Sequence, residues 1–411
     1  MALSFPTTTD AVLKQFYDES YYDLAEKDHP LFAMATKGKK SGYGVKVPVS
    51  LNYTAGRGGT FTTAQTDSAS GGTNRVAFSV TPNHTYALET VQNEDMRYSD
   101  GPGGVVNVQT DAIEKCMRAC SDDVEIAFMG DGYGTLGTIT ANSGAGPYVL
   151  TVGGPASWKF YPNQVLVSKA TAAAASLDTG TMTVNAVDNI AGTITVTAAG
   201  GWTPTNTHVL GLHATMAAST SLATWAGLGA WIPQYTTGTR IASNDSFYGV
   251  NRSVSPTLLA GHAIDGRQLN VIDTVNAIVQ SIANVSGARP DMVLMNPATT
   301  GKLLALLQNN KRYENVASDS GHVFFKALVF DSVRGPLMVH STPFQDATRI
   351  DVLDSRTWHA PGPESNFIVP ATRSGKPLEL TTGDSAESRM IGTGYFYCTA
   401  PGFNGCSLIT A

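Results

Sequence analysis

Charge is scarce in this sequence. Only 15% of its 411 residues are Asp, Glu, Lys or Arg, where about a quarter is usual. The 33 acids outnumber the 27 bases for a net charge of -6, which argues against a dedicated nucleic-acid grip, since phosphate affinity needs clustered cations. The one local run, Lys37, Lys39 and Lys40, reads as a solvated junction. No apolar stretch approaches the ~18 residues of a membrane span, and the opening MALSFPTTTDAVLK has no signal-peptide core, so a soluble chain made in the cytoplasm is expected. Four cysteines are too few for a disulfide framework in so long a chain. Cys116 and Cys120, four apart on an expected helix, read as buried thiols. Cys398 and Cys406 flank a Pro-Gly turn on adjacent strands, with free thiols the default in a reducing cytoplasm.

Signatures of catalysis are missing too. There is no GxSxG elbow, HExxH helix, P-loop or CxxC pair. Gly132, Gly134 and Gly137 spell GxGxxG, but they end a helix and open a strand, the reverse of the order that puts a pyrophosphate on a helix N-terminus. His208 and His213 lie five apart on strand-and-loop sequence, without helical spacing or a nearby Cys or acid cluster to complete a metal site. Trp225, Trp231 and Tyr235 read as packing anchors of an irregular segment rather than the lining of a pocket. The expectation is no enzyme, no cofactor and no metal.

What is abundant is Gly, Thr, Ala and Ser, which make a small, neutral, β-compatible surface suited to broad protein contact. Hydrophobic residues at 42% and a mean hydropathy of -0.06 are those of a folded globular protein, and the length calls for more than one core. The most telling stretch runs from Val45 to Val91. Val45, Val47, Val49, Leu51 and Tyr53 alternate with polar residues, and Val76, Phe78, Val80, Pro82, His84, Tyr86 and Leu88 share the face of a returning arm. Between them GRGGTFTTAQTDSASGG offers nothing to pack around. A two-stranded ribbon is marginal on its own, so it is expected to leave its subunit and lie on a neighbour.

Around this ribbon the order of elements is clear. An amphipathic helix is expected over residues 10 to 26, with Phe16 and Tyr17 on its apolar side. A longer helix, Thr110 to Met129, forms a spine stopped by Gly130 and Gly132. From Gly132 to about Ala214 the period becomes two, and a small β-barrel or sandwich fits. After an irregular Trp-, Gly- and Pro-rich segment, an α/β unit follows: helix Val271 to Val285, strand Met292 to Met295, a helix capped by Asn296 with Pro297 first, and three further strands. The tail from Met390 to Thr410 is strand-like and is expected to return to the spine.

This order, together with PDMVLMNPATTGKLLALL, GLGAWIP, FYGVNRS and GYFYCTAPGFNGCSLIT, resembles the major capsid proteins of tailed bacteriophages, the Hong Kong 97-type fold. The resemblance implies an α+β chain with an N-terminal helical arm (1–40), an extended loop (41–98), a peripheral domain with the spine helix (99–131 and 369–411), an inserted β domain (132–214) and an axial α/β domain (215–368). It implies self-assembly into pentamers and hexamers of an icosahedral shell around double-stranded DNA, held weakly and without sequence specificity. It further implies a portal, no membrane, and a place in the virion after assembly in the host cytoplasm. The short arm leaves no room for a scaffolding segment, and Met1 favours a separate scaffolding protein over a cleaved precursor. No lysine occurs between Lys46 and Lys115, so the lysine crosslink some relatives make on this loop is not expected, and a denaturing gel of shells should show no covalent ladder. Arg57 and Arg75 are the candidates for inter-subunit ion pairs, and Phe16, Tyr17, Leu51, Tyr53, Phe78 and Tyr86 for apolar inter-subunit contacts. The alternatives are an encapsulin-like compartment shell holding enzyme cargo, which the contents of purified particles would reveal, and a β-rich tail or decoration protein, which would give rings or tubes.

Overall fold

A computed structural model of the chain describes residues 29–40, 42, 44–51, 56–70, 75–99, 108–152, 154–213, 215–216, 222–235, 240–309, 328–363, 367–370, 378–380 and 383–410. The expected helix over 10 to 26 therefore lies outside the described residues. The chain is a mixed α/β structure, rich in strands, and it divides into two compact units. The first holds Tyr86–Ser121 and Ile368–Ile391; the second holds His29–Thr85, Asp122–Phe367 and Gly392–Ala411. The helix Val108–Met129 contributes to both.

In the first unit the helix presents Ala112, Cys116 and Cys120, at the i, i+4 spacing of one face, as its buried stripe. Cys116 and Cys120 pack on Met390 with Ile113, Ala87 and Ile368 at the margin. Met390 belongs to Ser385–Gly394, a strand of strict alternation in which every second residue is buried. That strand pairs with Leu378–Glu379 and with Asn83–Gln92, and its sheet also takes in Ile368–Pro370. Burial pushes the Cys116 thiol up to about 11, so it stays an inert packing group.

The second unit carries two larger sheets. Seven strands between Thr135 and Leu212 are all paired antiparallel. Thr135–Thr138 pairs with Val209–Leu212, while Ala141–Ser143, only two residues later, pairs with Tyr148–Thr151. Between them the Ile139 N–H donates to His208 O at 2.8 Å and the Thr140 N–H to Thr151 O at 2.8 Å. One bent segment thus serves both ends of the ladder and closes the sheet into a small barrel. Leu136, Ile139, Leu150, Leu166, Met182, Val184, Ile194, Val196, Trp202 and Leu210 fill it. The period of two in this stretch thus corresponds to strands.

The other sheet runs His262–Asp265, Gly405–Leu408, Arg349–Leu353, Met292–Met295, Gly335–Ser341, Leu328–Ser332. Helix Val271–Val285 lies on it, with Val271, Val275, Ile278, Val279 and Ile282 buried. These β-branched residues are mediocre helix formers by about 0.5 kcal/mol each, but burying each contributes about 1.5–3 kcal/mol, so packing decides. The Asn270 side chain caps the helix by accepting from the Asp273 N–H at 2.8 Å. Asn296 caps Pro297–Asn309, accepting from the Ala298 N–H at 3.0 Å.

Two expectations change. The tail returns to the spine only in part: Phe396 stacks on Phe128 at 3.9 Å, but Gly405–Leu408 goes on to become an inner strand of the α/β sheet, parallel to His262–Asp265 and antiparallel to Arg349–Leu353. The stretch Val45 to Val91 is not one hairpin. Val45–Ser50 pairs with Arg75–Val80, Val45 opposite Val80, and the chain then breaks at Thr81 and Pro82, where proline has no N–H to donate to a ladder. Asn83–Gln92 joins Ser385–Gly394 instead.

The irregular segment before the α/β unit is held by arginines. Arg240 donates to the carbonyls of Pro233, Ala260 and Gly261, the first and last at 2.8 and 2.9 Å. Arg252 donates to Ala230 O at 2.6 Å, and Arg349 to Leu228 O and Ile232 O at 3.3 and 2.9 Å. A buried loop cannot leave its carbonyls unpaired, and guanidinium forks supply what a ladder would. Gly227 has to be glycine, because a Cβ there would meet Phe128 O at 2.3 Å.

Candidate assembly surface

The paired strands Val45–Ser50 and Arg75–Val80 form a ribbon with one apolar face, made of the opposed pairs Val45 and Val80, Val47 and Phe78, and Val49 and Val76. Burial falls along it. At the base Val47, Phe78 and Val80 are buried; further out Val49, Val76 and Leu51 are half-buried; beyond lies the helix Phe61–Ser70, whose Phe61 is 81% exposed. Phe78 sits edge-on to Trp231 at 5.0 Å and to Phe247 at 6.2 Å, and Arg252 lies over the Phe247 ring at 4.3 Å. The Ser79 N–H donates to Tyr248 O at 2.9 Å. The ribbon is therefore rooted in its own chain through Val47, Phe78 and Val80, and its apolar face loses cover toward the tip.

This corrects the role of Phe78. It is fully buried among aromatic rings of its own subunit and has no surface to offer a neighbour. Its alternation with Tyr86 does not make them partners, since the break at Pro82 puts them on different sheets. Tyr86 is 52% and Leu88 59% exposed, on the outer face of Asn83–Gln92. Arg57 and Arg75 are both exposed, and Arg75 lies opposite Ser50 at the outer end of the ladder. Phe16, Tyr17 and Tyr53 lie outside the described residues.

Sequence reading missed the helix at the ribbon's tip, and with it Phe61. A signal was there: Thr60 precedes Thr63 by three residues, and its hydroxyl accepts from the Thr63 N–H at 3.3 Å. With no apolar stripe behind it, however, the stretch reads as loop.

The remaining candidates for chemistry resolve into structure. His208 Nδ1 meets Asp178 Oδ2 at 2.7 Å, and Ser168 donates to the same carboxylate while accepting from Trp202 Nε1 at 2.8 Å. The carboxylate stands between serine and histidine, so the imidazole cannot take the serine's proton. Among the described residues no three His, Cys, Asp or Glu side chains cluster to hold a metal. Trp225 and Trp231 are buried anchors, as expected. All four cysteines are buried free thiols, and burial pushes Cys398 up to about 12 and Cys406 to about 11. A cavity of about 360 Å³ beside the α/β sheet is lined by Leu269, Leu306 and Ile409. Its cations are already engaged, Arg267 with Asp265 at 2.7 Å and Lys302 with Thr410 O at 3.3 Å.

No family model matches the chain, and no curated protein does. Solved structures match it along nearly its whole length. A chain of the cyanophage A-1(L) capsid asymmetric unit superposes with a TM-score of 0.58 at 10% identity, covering 96% of each chain. A chain of Mycobacterium phage Ogopogo covers 98% of this one and 99% of its own at TM-score 0.48 and 8% identity. One from the phage G structure of major capsid and decoration proteins covers 100% of both at 0.43 and 7%. The last two superpose too loosely to carry weight. The first establishes a shared fold: this chain is built as that capsid chain is.

Proposed function

We propose that this chain is the shell-forming subunit of a tailed-phage capsid, assembling through its ribbon into pentamers and hexamers around double-stranded DNA. The observation that carries the reading is the ribbon itself, rooted by Phe78 in its own aromatic nest and ending in a nearly naked Phe61. The capsid-type fold over almost the entire chain supports it. In this reading Arg57, Arg75 and Phe61 meet a neighbouring copy, and the exposed sheet face with Tyr86 and Leu88 is a second contact. Burying one such aromatic contributes about 1.5–3 kcal/mol. Each contact is weak alone, but closure of a symmetric shell engages many together. The low, net-negative charge leaves packaged DNA loosely held. A separate scaffolding protein and a portal complete the assembly in the host cytoplasm.

Phe61→Glu tests the reading. Phe61 touches little of its own subunit, so the variant should melt as the parent does, within the ±0.5 kcal/mol usual for surface changes. It should yield subunits instead of particles in a sedimentation gradient. Particles at the parental yield would remove the ribbon tip from the assembly interface.

A further inference from the structure

The last two turns of the helix Val108–Met129 hold three carboxylates, Asp122, Asp123 and Glu125. This is the negative end of the helix dipole, where acids are disfavoured, and like charges so close repel. Glu125 is fully buried there. Both its oxygens are committed to one segment: Oε1 accepts from the Leu31 N–H at 2.9 Å and Oε2 from the Phe32 N–H at 2.7 Å. On the same segment His29 Nε2 meets Asp122 Oδ1 at 2.6 Å. From the barrel side Tyr161 Oη donates to Asp122 Oδ2 at 2.8 Å. His29 also stacks on Phe344 at 5.6 Å, and the Lys37 ammonium stands over the Phe32 ring at 4.0 Å. The groups facing Glu125 are thus His29 and two amides from the segment and Asp122 from its own helix, with Asp123 and Tyr161 beside Asp122.

We propose that this cluster is a proton-governed clasp on His29–Met34, firm in mildly acidic medium and slackening as the pH rises toward neutrality. A buried acid at the wrong end of a helix, beside two more acids, is a local cost that packing alone does not require. Burial, with Asp122 adding, pushes the Glu125 carboxyl up to about 7 against the lowering effect of the two amides and His29, and burial with Asp122 does the same for Asp123. The sign follows from linkage. The closed clasp prefers protonated Glu125, whereas a released segment leaves it at the ordinary 4.5. The hold is complete below the ordinary value and is lost as the pH rises through the raised one. The inference does not depend on the capsid reading.

Hydrogen–deuterium exchange of the full-length protein tests it at the Leu31 and Phe32 amides. After correction for intrinsic rates, their opening should rise about tenfold per pH unit between pH 5 and 7 and level off above 7. Glu125→Gln removes the charge, keeps one acceptor and sets an NH2 against the second amide, so it should loosen the clasp at every pH and abolish the slope. A wild-type opening that is independent of pH over this range would overturn the proposal, as would an unchanged slope in Glu125→Gln. Should that variant fail to fold, the wild-type curve decides alone: a slope continuing past pH 8 without a plateau contradicts the assignment.

Discussion

Arg349→Ala should destabilise the subunit by about 3–5 kcal/mol, the loss typical of removing one partner from a buried ion pair. Arg349 makes a two-pronged contact with Asp351, Nη2 to Oδ1 at 2.7 Å and Nε to Oδ2 at 2.8 Å. Asp351 is 0% exposed, and among the described residues its other side-chain support is an amide hydrogen from Gln345. Burial lowers the Arg349 guanidinium, but Asp351 outweighs it and raises the group above its ordinary value, so Arg349 keeps its charge. Truncation would leave a bare carboxylate in the centre of the α/β sheet and free the Leu228 and Ile232 carbonyls of the loop. Urea denaturation gives the number. The double variant Arg349→Met with Asp351→Leu should recover much of the loss, because it removes the stranded charge as well. A single-variant loss under about 1 kcal/mol would mean that water reaches Asp351 and that the loop is held by something else.

Phe78→Ala should cost about 3–5 kcal/mol, as expected of a large aromatic removed from a closed site. The ring is fully buried, with Trp231 at 5.0 Å and Phe247 at 6.2 Å arranged edge to face. The cavity would open at the root of the ribbon, so the loss should appear both in denaturation and in the fluorescence of Trp231. Because Phe78 faces inward, weaker assembly of this variant should track its lost stability; Phe61→Glu should separate the two, losing assembly with stability intact. A Phe78→Ala subunit of parental stability that fails only to assemble would put Phe78 back at an interface.

These two residues also mark how far the sequence could be read. Helix Val271–Val285 and strand Met292–Met295 were legible because dense apolar periodicity and caps agree over a long run. The barrel was legible because its period of two is punctuated by turns, though not its closure, which depends on a bend at Ile139 and Thr140. The ribbon was half legible. Its alternation continues unbroken through Pro82, but alternation records only which side a residue faces, not which strand lies beside it. A change of partner therefore turned Tyr86 and Leu88 outward while Phe78 stayed inside. The tail was legible as strand, but the sheet that Gly405–Leu408 joins was not, since its partners are more than 50 residues away and no local signal selects them. The arginines at 240, 252 and 349 look in sequence like ordinary surface cations, and only the loop they fold under makes them structural. Asp122 and Glu125 carry no local signal of the clasp, because their partners lie more than 90 residues away in the chain.

Electron microscopy of particles assembled from the full-length chain tests the central claim most directly. The result expected is closed icosahedral shells in which helix Phe61–Ser70 of one copy lies against another. Compact monomers at every concentration, or rings and tubes in which that helix folds back onto its own subunit, would contradict it.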